Sequence, residues 1–177
     1  VDHAAVELFR EWIGGMKPST IFVKNWRMAD LEPALSGLDG DRSLASGKEV
    51  FDKSGCVQCH RFNERGGSVG PDLAGLAKRM KPREVLESML EPSRTIDEAY
   101  SMQQFTMSDG MVHLGQVQDE TDAVVRLRSL SATSAPITLA KSLIVSRKKL
   151  GVSNMPPGML NTLTKKQILD LVAYLLN

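Results

Sequence analysis

The chain has 177 residues, 22 of them Lys or Arg and 21 Asp or Glu, for a net charge of +1. That balance removes the electrostatic case for nucleic acid, and no apolar run approaches the roughly 20 residues of a membrane-spanning helix. Hydrophobic residues at 42% suffice for a core, but aromatics at 5% leave it to Leu, Val and Met, or to a bulky flat cofactor.

Residues 4–13 place Ala5, Leu8, Phe9, Trp12 and Ile13 on one helical face, which Gly14-Gly15 ends. Residues 18–26 read as an extended connector, and a short helical stretch is predicted from Asp30 to Leu35. Helix resumes near Ser46 as N-cap, buries Val50 and Phe51, and ends at Gly55. The glycine-rich stretch 63–76 reads as loop. Pro82 then starts a helix with Val85, Leu86, Met89 and Leu90 along one side.

From Tyr100 the period changes to that of strands. Asp109-Gly110 predicts a two-residue hairpin turn between apolar runs. Val125, Leu127 and Ser129 alternate with Val124, Arg126 and Arg128, and "PITLA" and "LIVS" supply further short strands. A small antiparallel unit over 100–148 is therefore expected between helical regions. Thr164 caps a last helix with Ile168, Leu171, Val172 and Leu175 inward. The chain opens on Val1 and is expected to be a processed form or a piece of something longer.

The two cysteines of the chain lie together in "GCVQCHRF", residues 55–62. Three chemistries compete for Cys56, Cys59 and the adjacent His60. Zinc needs four ligands, and His3, His60 and His113 do not supply paired spacing. A thioredoxin-like dithiol expects a strand before the pair, where a helix is predicted here. Covalent haem attachment uses all three side chains, and C-x-x-C-H is its attachment signature.

The flanks favour haem. A proximal His needs an acceptor on its other ring nitrogen, and "GPDLAGL", starting ten residues on, offers the Pro71 carbonyl. "NMPPGML" presents Met155 before two stiffening prolines. Gly47 and Phe51, with Leu171 and Tyr174, suit two helices crossing closely.

The combination of "GKEVFDKSGCVQCH", "GPDLAGL", "NMPPGML" and "LTKKQILDLVAYL" resembles the cytochrome c family. Within it, "NWRMADLEPAL", "EPSRTIDEAY" and "SDGMVHLGQV" resemble the haem-binding domain of planctomycete and verrucomicrobial proteins. The resemblance implies a mainly α, cytochrome c-like helical fold around one covalent haem c, with a small antiparallel β insertion before the Met-ligand loop. Residues 26–177 would form that domain, and residues 1–25 an N-terminal helical extension or the tail of a preceding one. It implies thioether attachment through Cys56 and Cys59, His60 as proximal ligand backed by the Pro71 carbonyl, and Met155 as distal ligand. Met159 is the rival to Met155, and His113 the candidate for a second His ligand.

The expected function is that of a monohaem electron carrier rather than an enzyme. It would be periplasmic or otherwise exported, and would accept electrons from a secreted dehydrogenase or a domain fused to it. The redox partner is a protein; no nucleic acid, membrane span or small-molecule substrate is expected. Val57, Phe62 and Val69 would ring the exchange surface. Arg79, Lys81 or Arg94, or the Trp26 indole, would be the groups able to reach haem propionates. Met80, Met89, Met102, Met107 and Met111 are read as packing residues. The alternative is a haem-based ligand-binding or sensor module whose Met155 loop swings away; a peroxidase would need a vacant distal site and a distal acid–base residue, and the sequence offers no convincing candidate near the Met loop.

Overall fold

The computed structural model describes residues 22–38, 40–128 and 135–177, with His3, Val6, Glu7 and Arg10 before them. The predicted N-terminal helical face (Ala5, Leu8, Phe9, Trp12, Ile13), residues 18–21 of the connector and Ser129 lie outside the described residues.

The helical layer starts with α1 (Met28–Leu31), continued by a 3-10 turn over Glu32–Gly37. Then come α2 (Leu44–Lys53), α3 (Cys56–Cys59), α4 (Pro82–Leu90) and α5 (Lys165–Leu175). α2 begins earlier than predicted. Its N-cap is Ser43, whose hydroxyl accepts the Ser46 N–H at 3.1 Å; Ser46 lies inside the first turn. α4 starts on Pro82, which lacks the N–H that a first helical residue leaves unpaired anyway. In α5, Thr164 and Gln167 cap each other reciprocally: the Gln167 amide oxygen accepts the Thr164 N–H at 2.9 Å.

These helices close on Leu31, Val50, Phe51, Leu86, Ile168, Leu171 and Val172, all buried. Each such side chain contributes about 1.5–3 kcal/mol on leaving water. α2 crosses α5 at Gly47, where a Cβ would stand 2.2 Å from the Asp170 carbonyl oxygen. Beside the crossing, Phe62 packs edge to face on Phe51 and on Tyr174, which are tilted against each other, with ring centroids 5.1–6.1 Å apart.

Asp170 has no exposed surface, yet accepts the Ser43 N–H at 3.3 Å and the Lys166 ammonium at 2.7 Å. Burial pushes its carboxyl up, but hydrogen bonds from Lys166, Ser46 and Ser43 outweigh that and hold it below its usual value. A folded value below the unfolded one gives stabilisation that is complete above the unfolded value of about 3.9. It is lost as pH falls through the lower folded value. Acid unfolding monitored by circular dichroism should therefore show Asp170→Asn less stable than wild type at neutral pH. The two should converge below about pH 4; a constant difference at every pH would contradict this account.

A five-stranded antiparallel sheet follows, built from β3 (Met102–Met107), β4 (Val112–Glu120), β5 (Val124–Arg128), β6 (Ile137–Ala140) and β7 (Ile144–Lys149). A two-stranded ribbon of β1 (Arg61–Phe62) and β2 (Arg65–Gly66) precedes it, β2 lying in the stretch 63–76 that reads as loop in the sequence. The order β6-β5-β4-β3-β7 puts the ends of the meander at opposite edges, yet only Lys141–Leu143 join β6 to β7. Four interstrand gaps span about 19 Å in a flat sheet. Four chain steps reach at most about 14 Å. The sheet therefore curls into a small barrel around Phe105, Val125, Leu127 and Leu139. The joining turn hydrogen-bonds to both neighbouring loops, Leu143 accepting from Ser108 N–H and Lys141 donating to Ala123, each at 2.8 Å.

The fold class expected from sequence needs correction. Of the described residues 40% are helical and 22% lie in strands, so the protein is not mainly α. The strand segments were visible as β-prone runs around Asp109-Gly110 and as alternation over 124–129; their assembly into a body with its own core depends on β7 returning to β3, which no local pattern shows. The β3–β4 turn also differs: Met107 and Met111 close a three-residue loop in which Gly110 takes φ +83°, a left-handed value that glycine tolerates. Met111 is 54% exposed rather than packed, whereas Met89, Met102 and Met107 are buried.

Candidate functional site

α3 is a single helical turn made of the C-x-x-C residues themselves. Gly55 enters it at φ +82°, a left-handed turn between α2 and α3 that lets Cys56 follow Lys53 after two residues. His60 ends the turn in an extended conformation, and its N–H bonds the Cys56 carbonyl at 2.9 Å. Both thiols are free and half-buried. Burial pushes the Cys56 thiol up, so it stays neutral rather than becoming the activated thiolate that disulfide exchange uses. Among the described residues, no three His, Cys, Asp or Glu side chains converge as a metal cluster.

The loop after His60 folds back over this turn. The Gly67 N–H bonds the Val57 carbonyl at 2.9 Å and the Gly70 N–H bonds Cys59 at 2.8 Å. A Cβ on Gly67 would stand 2.0 Å from the Gln58 carbonyl oxygen, and one on Gly70 2.7 Å from Cε1 of His60. The glycines thus lie where backbone must touch backbone and ring.

Pro71 completes the contact: its carbonyl oxygen is 2.9 Å from Nδ1 of His60. A carbonyl only accepts, so Nδ1 carries the proton and Nε2 keeps its lone pair. Burial lowers the affinity of His60 for a second proton, partly offset by the Pro71 bond. The imidazole is thereby held neutral and oriented, the form in which it ligates a metal.

Met155 lies in a loop tied back at two points. Its N–H bonds the Ser153 hydroxyl at 3.1 Å, and the Ser153 N–H bonds the Ser93 hydroxyl, beyond α4, at 3.0 Å. Cys56, Val57, Leu73, Met80, Leu90 and Met155 all pack against the helical core while remaining only partly buried. Cys56 and Met155 thus border one apolar cluster, and Cys59 and the neutral, oriented His60 belong to the same turn as Cys56, a donor set that fits a flat, apolar, iron-bearing group. Met159 starts the 3-10 turn Met159–Thr162 and is also half-buried.

Residues 44–127 match the family model described as cytochrome c. The match supports the cytochrome c family. Cytochrome c domains bind haem covalently and serve in electron transfer, so these are the chemistries the match implies, and Cys56 and Cys59 lie within it as a C-x-x-C-H-like pair. No curated protein matches the chain. The cytochrome c match ends inside β5, leaving Met155 and α5 beyond it. The barrel occupies the sequence between α4 and the Met155 loop, which stand more than 60 residues apart.

Several sequence-based expectations fall elsewhere. Phe62 and Val69 are buried, Phe62 within the aromatic cluster, so neither rings an exposed surface. The Trp26 indole N–H is engaged by the Leu163 carbonyl at 2.9 Å. Arg79 reaches the carbonyls of Asp72 and Ala74, and Arg94 pairs with Glu87, so both brace local backbone or helix surface. Lys81 is the N-cap residue of α4 and its N–H bonds Glu84. His113 sits in β4 opposite Phe105, on the barrel.

Sequence reasoning missed Asn161. Its carbonyl accepts from Val23 at 2.7 Å, its side chain meets Asn25 at 2.7 Å, and together they fasten the connector beside the Met155 loop. No local motif marks such a residue.

Proposed function

We propose that the chain is a monohaem c-type electron-transfer domain with His60 and Met155 as its axial ligands. The observation that carries this reading is the 2.9 Å bond from His60 Nδ1 to the Pro71 carbonyl, directly after two free, half-buried thiols.

Cys56 and Cys59 would each add S–H across a vinyl group of the haem: a carbon–sulfur bond forms, the proton goes to the other vinyl carbon, and nothing is oxidised. Bound haem supplies a reversible single-electron change at iron. The Pro71 carbonyl fixes the His60 ring and raises its basicity. Met155 offers a soft thioether, and His/Met ligation favours the reduced state relative to two nitrogen ligands. Held by both His60 and Met155, the iron would have no position open to a small ligand, and electron transfer rather than catalysis would be its chemistry.

The upstream and hairpin motifs support placement within the planctomycete and verrucomicrobial type. On that reading residues 26–177 form the haem domain, the module is exported, and its electron donor is a secreted dehydrogenase, separate or fused.

Ligation is tested by recording the far-red methionine–iron charge-transfer band of the oxidised protein. Met155→Ala should abolish it and Met159→Ala should leave it. Loss in Met159→Ala alone would move the ligand to Met159, and absence of the band in wild type would end the His/Met assignment.

A further inference from the structure

The loop Gly66–Pro71 is anchored to the C-x-x-C-H turn at both feet, by Gly67 on Val57 and by Gly70 and Pro71 on Cys59 and His60. Its tip, Ser68 and Val69, is held from the barrel. The guanidinium of Arg128, the last residue of β5, donates to the Ser68 carbonyl across 60 residues of sequence. Val69 beside it is buried, although it belongs to neither apolar core.

Arg128 does not act from an isolated position. In register it faces Gln116 of β4, which faces Met102 of β3, so the three form one row across the barrel. Met102 and Gln116 are 6% and 4% exposed. Gln116 Nε2 donates to the Tyr100 carbonyl at 3.1 Å, on the segment entering the barrel. The row therefore bonds outward from its middle member, Gln116, to the barrel's entry, and from its end, Arg128, to the loop beneath His60.

We infer that Arg128 is a positioning residue for His60, through which the barrel sets the orientation of the haem-ligating side chain. A guanidinium–carbonyl bond is charge-assisted and directional. Placed at the tip of a loop whose next two residues touch the imidazole, it resists the motion that would let the ring rotate. The barrel thus acts as a brace on the proximal side as well as an insertion between α4 and the Met155 loop. The inference rests on the haem reading for its spectroscopic readout, but not for its structural one.

The experiment compares holoprotein wild type with Arg128→Ala and Arg128→Lys. Amide exchange at Gly67 and Gly70 should speed up roughly tenfold or more in Arg128→Ala, the effect of losing a hydrogen bond to a charged group. Amides of α5 should not change. The hyperfine-shifted haem methyl signals of the oxidised protein, which report axial-ligand orientation, should redistribute, and the midpoint potential should fall with the lost positive charge. Arg128→Lys should restore the potential and most of the methyl pattern.

Unchanged exchange and methyl shifts in Arg128→Ala would overturn the inference, as would faster exchange spread evenly through α5. If wild type shows no His-ligated low-spin haem, the functional reading fails. Exchange at Gly67 and Gly70 still decides whether Arg128 clamps the loop.

Discussion

Alanine at both Cys56 and Cys59 is expected to leave the chain with no covalently held haem. These are the two cysteines of the sequence, so no other thiol can substitute. Intact-mass spectrometry under denaturing conditions, after expression with haem-attachment machinery, should show wild type heavier by one haem and the double variant at the bare chain mass. Single variants should retain one thioether and gain the same mass in lower yield. The loss should also be felt in folding, because Cys56, Val57, Leu73, Met80 and Met155 form a partly buried margin of the helical core. A group bound only by the folded state stabilises it, so the double variant should unfold at lower denaturant than wild type. A mass gain that persists without both thiols would refute thioether attachment at this motif.

Gly47→Ala should produce the largest loss of stability among conservative substitutions in the helical layer. A Cβ at this position would lie 2.2 Å from the Asp170 carbonyl oxygen, 2.8 Å from its carbon and 2.5 Å from Cβ of Tyr174. Two of the three obstacles are helix backbone, which cannot rotate aside as a flexible side chain can. α2 and α5 would have to separate, loosening Phe51 and Tyr174 from Phe62 and weakening the Asp170 bond to the Ser43 N–H. Overpacking of this kind costs about 3 kcal/mol or more. Gly151, where nothing lies within 4 Å, is the matched control, and Gly151→Ala should unfold near wild type. Denaturant titration of the three proteins measures both. A Gly47→Ala protein within about 0.5 kcal/mol of wild type, the range of neutral surface changes, would show that the crossing is not close-packed.

What could be read in advance divides by range along the chain. The C-x-x-C-H turn was legible because its residues are neighbours and its chemistry depends on that spacing. Pro71 was legible as an acceptor because it follows His60 within a short glycine-rich loop that has to fold back. Gly47 stood out because α5 carries Leu171 and Tyr174 at the complementary spacing.

Features set by distant partners were less legible. Ser43 rather than Ser46 caps α2, and Asp170 from α5 accepts the Ser43 N–H, so tertiary contact helps place the helix start. The strands of 102–149 were visible as β-prone runs and alternation, but the barrel arises from β7 pairing with β3, a return across about 40 residues that only the short Lys141–Leu143 joint betrays. Arg128 read as the polar side of an alternating strand, and its contact with Ser68 spans 60 residues of sequence. Asn161 carries no motif; its bonds run to Val23 and Asn25, more than 130 residues earlier.

The central claim is that this chain holds an iron ligated on both faces by its own side chains and passes single electrons through it. A spectroscopic redox titration of the purified holoprotein, with carbon monoxide added to the reduced form, tests that claim most directly. The account predicts one reversible single-electron transition between low-spin c-type spectra, unaltered by carbon monoxide. A high-spin spectrum, or a reduced form that binds carbon monoxide without denaturant, would contradict it and make ligand binding the function of the site.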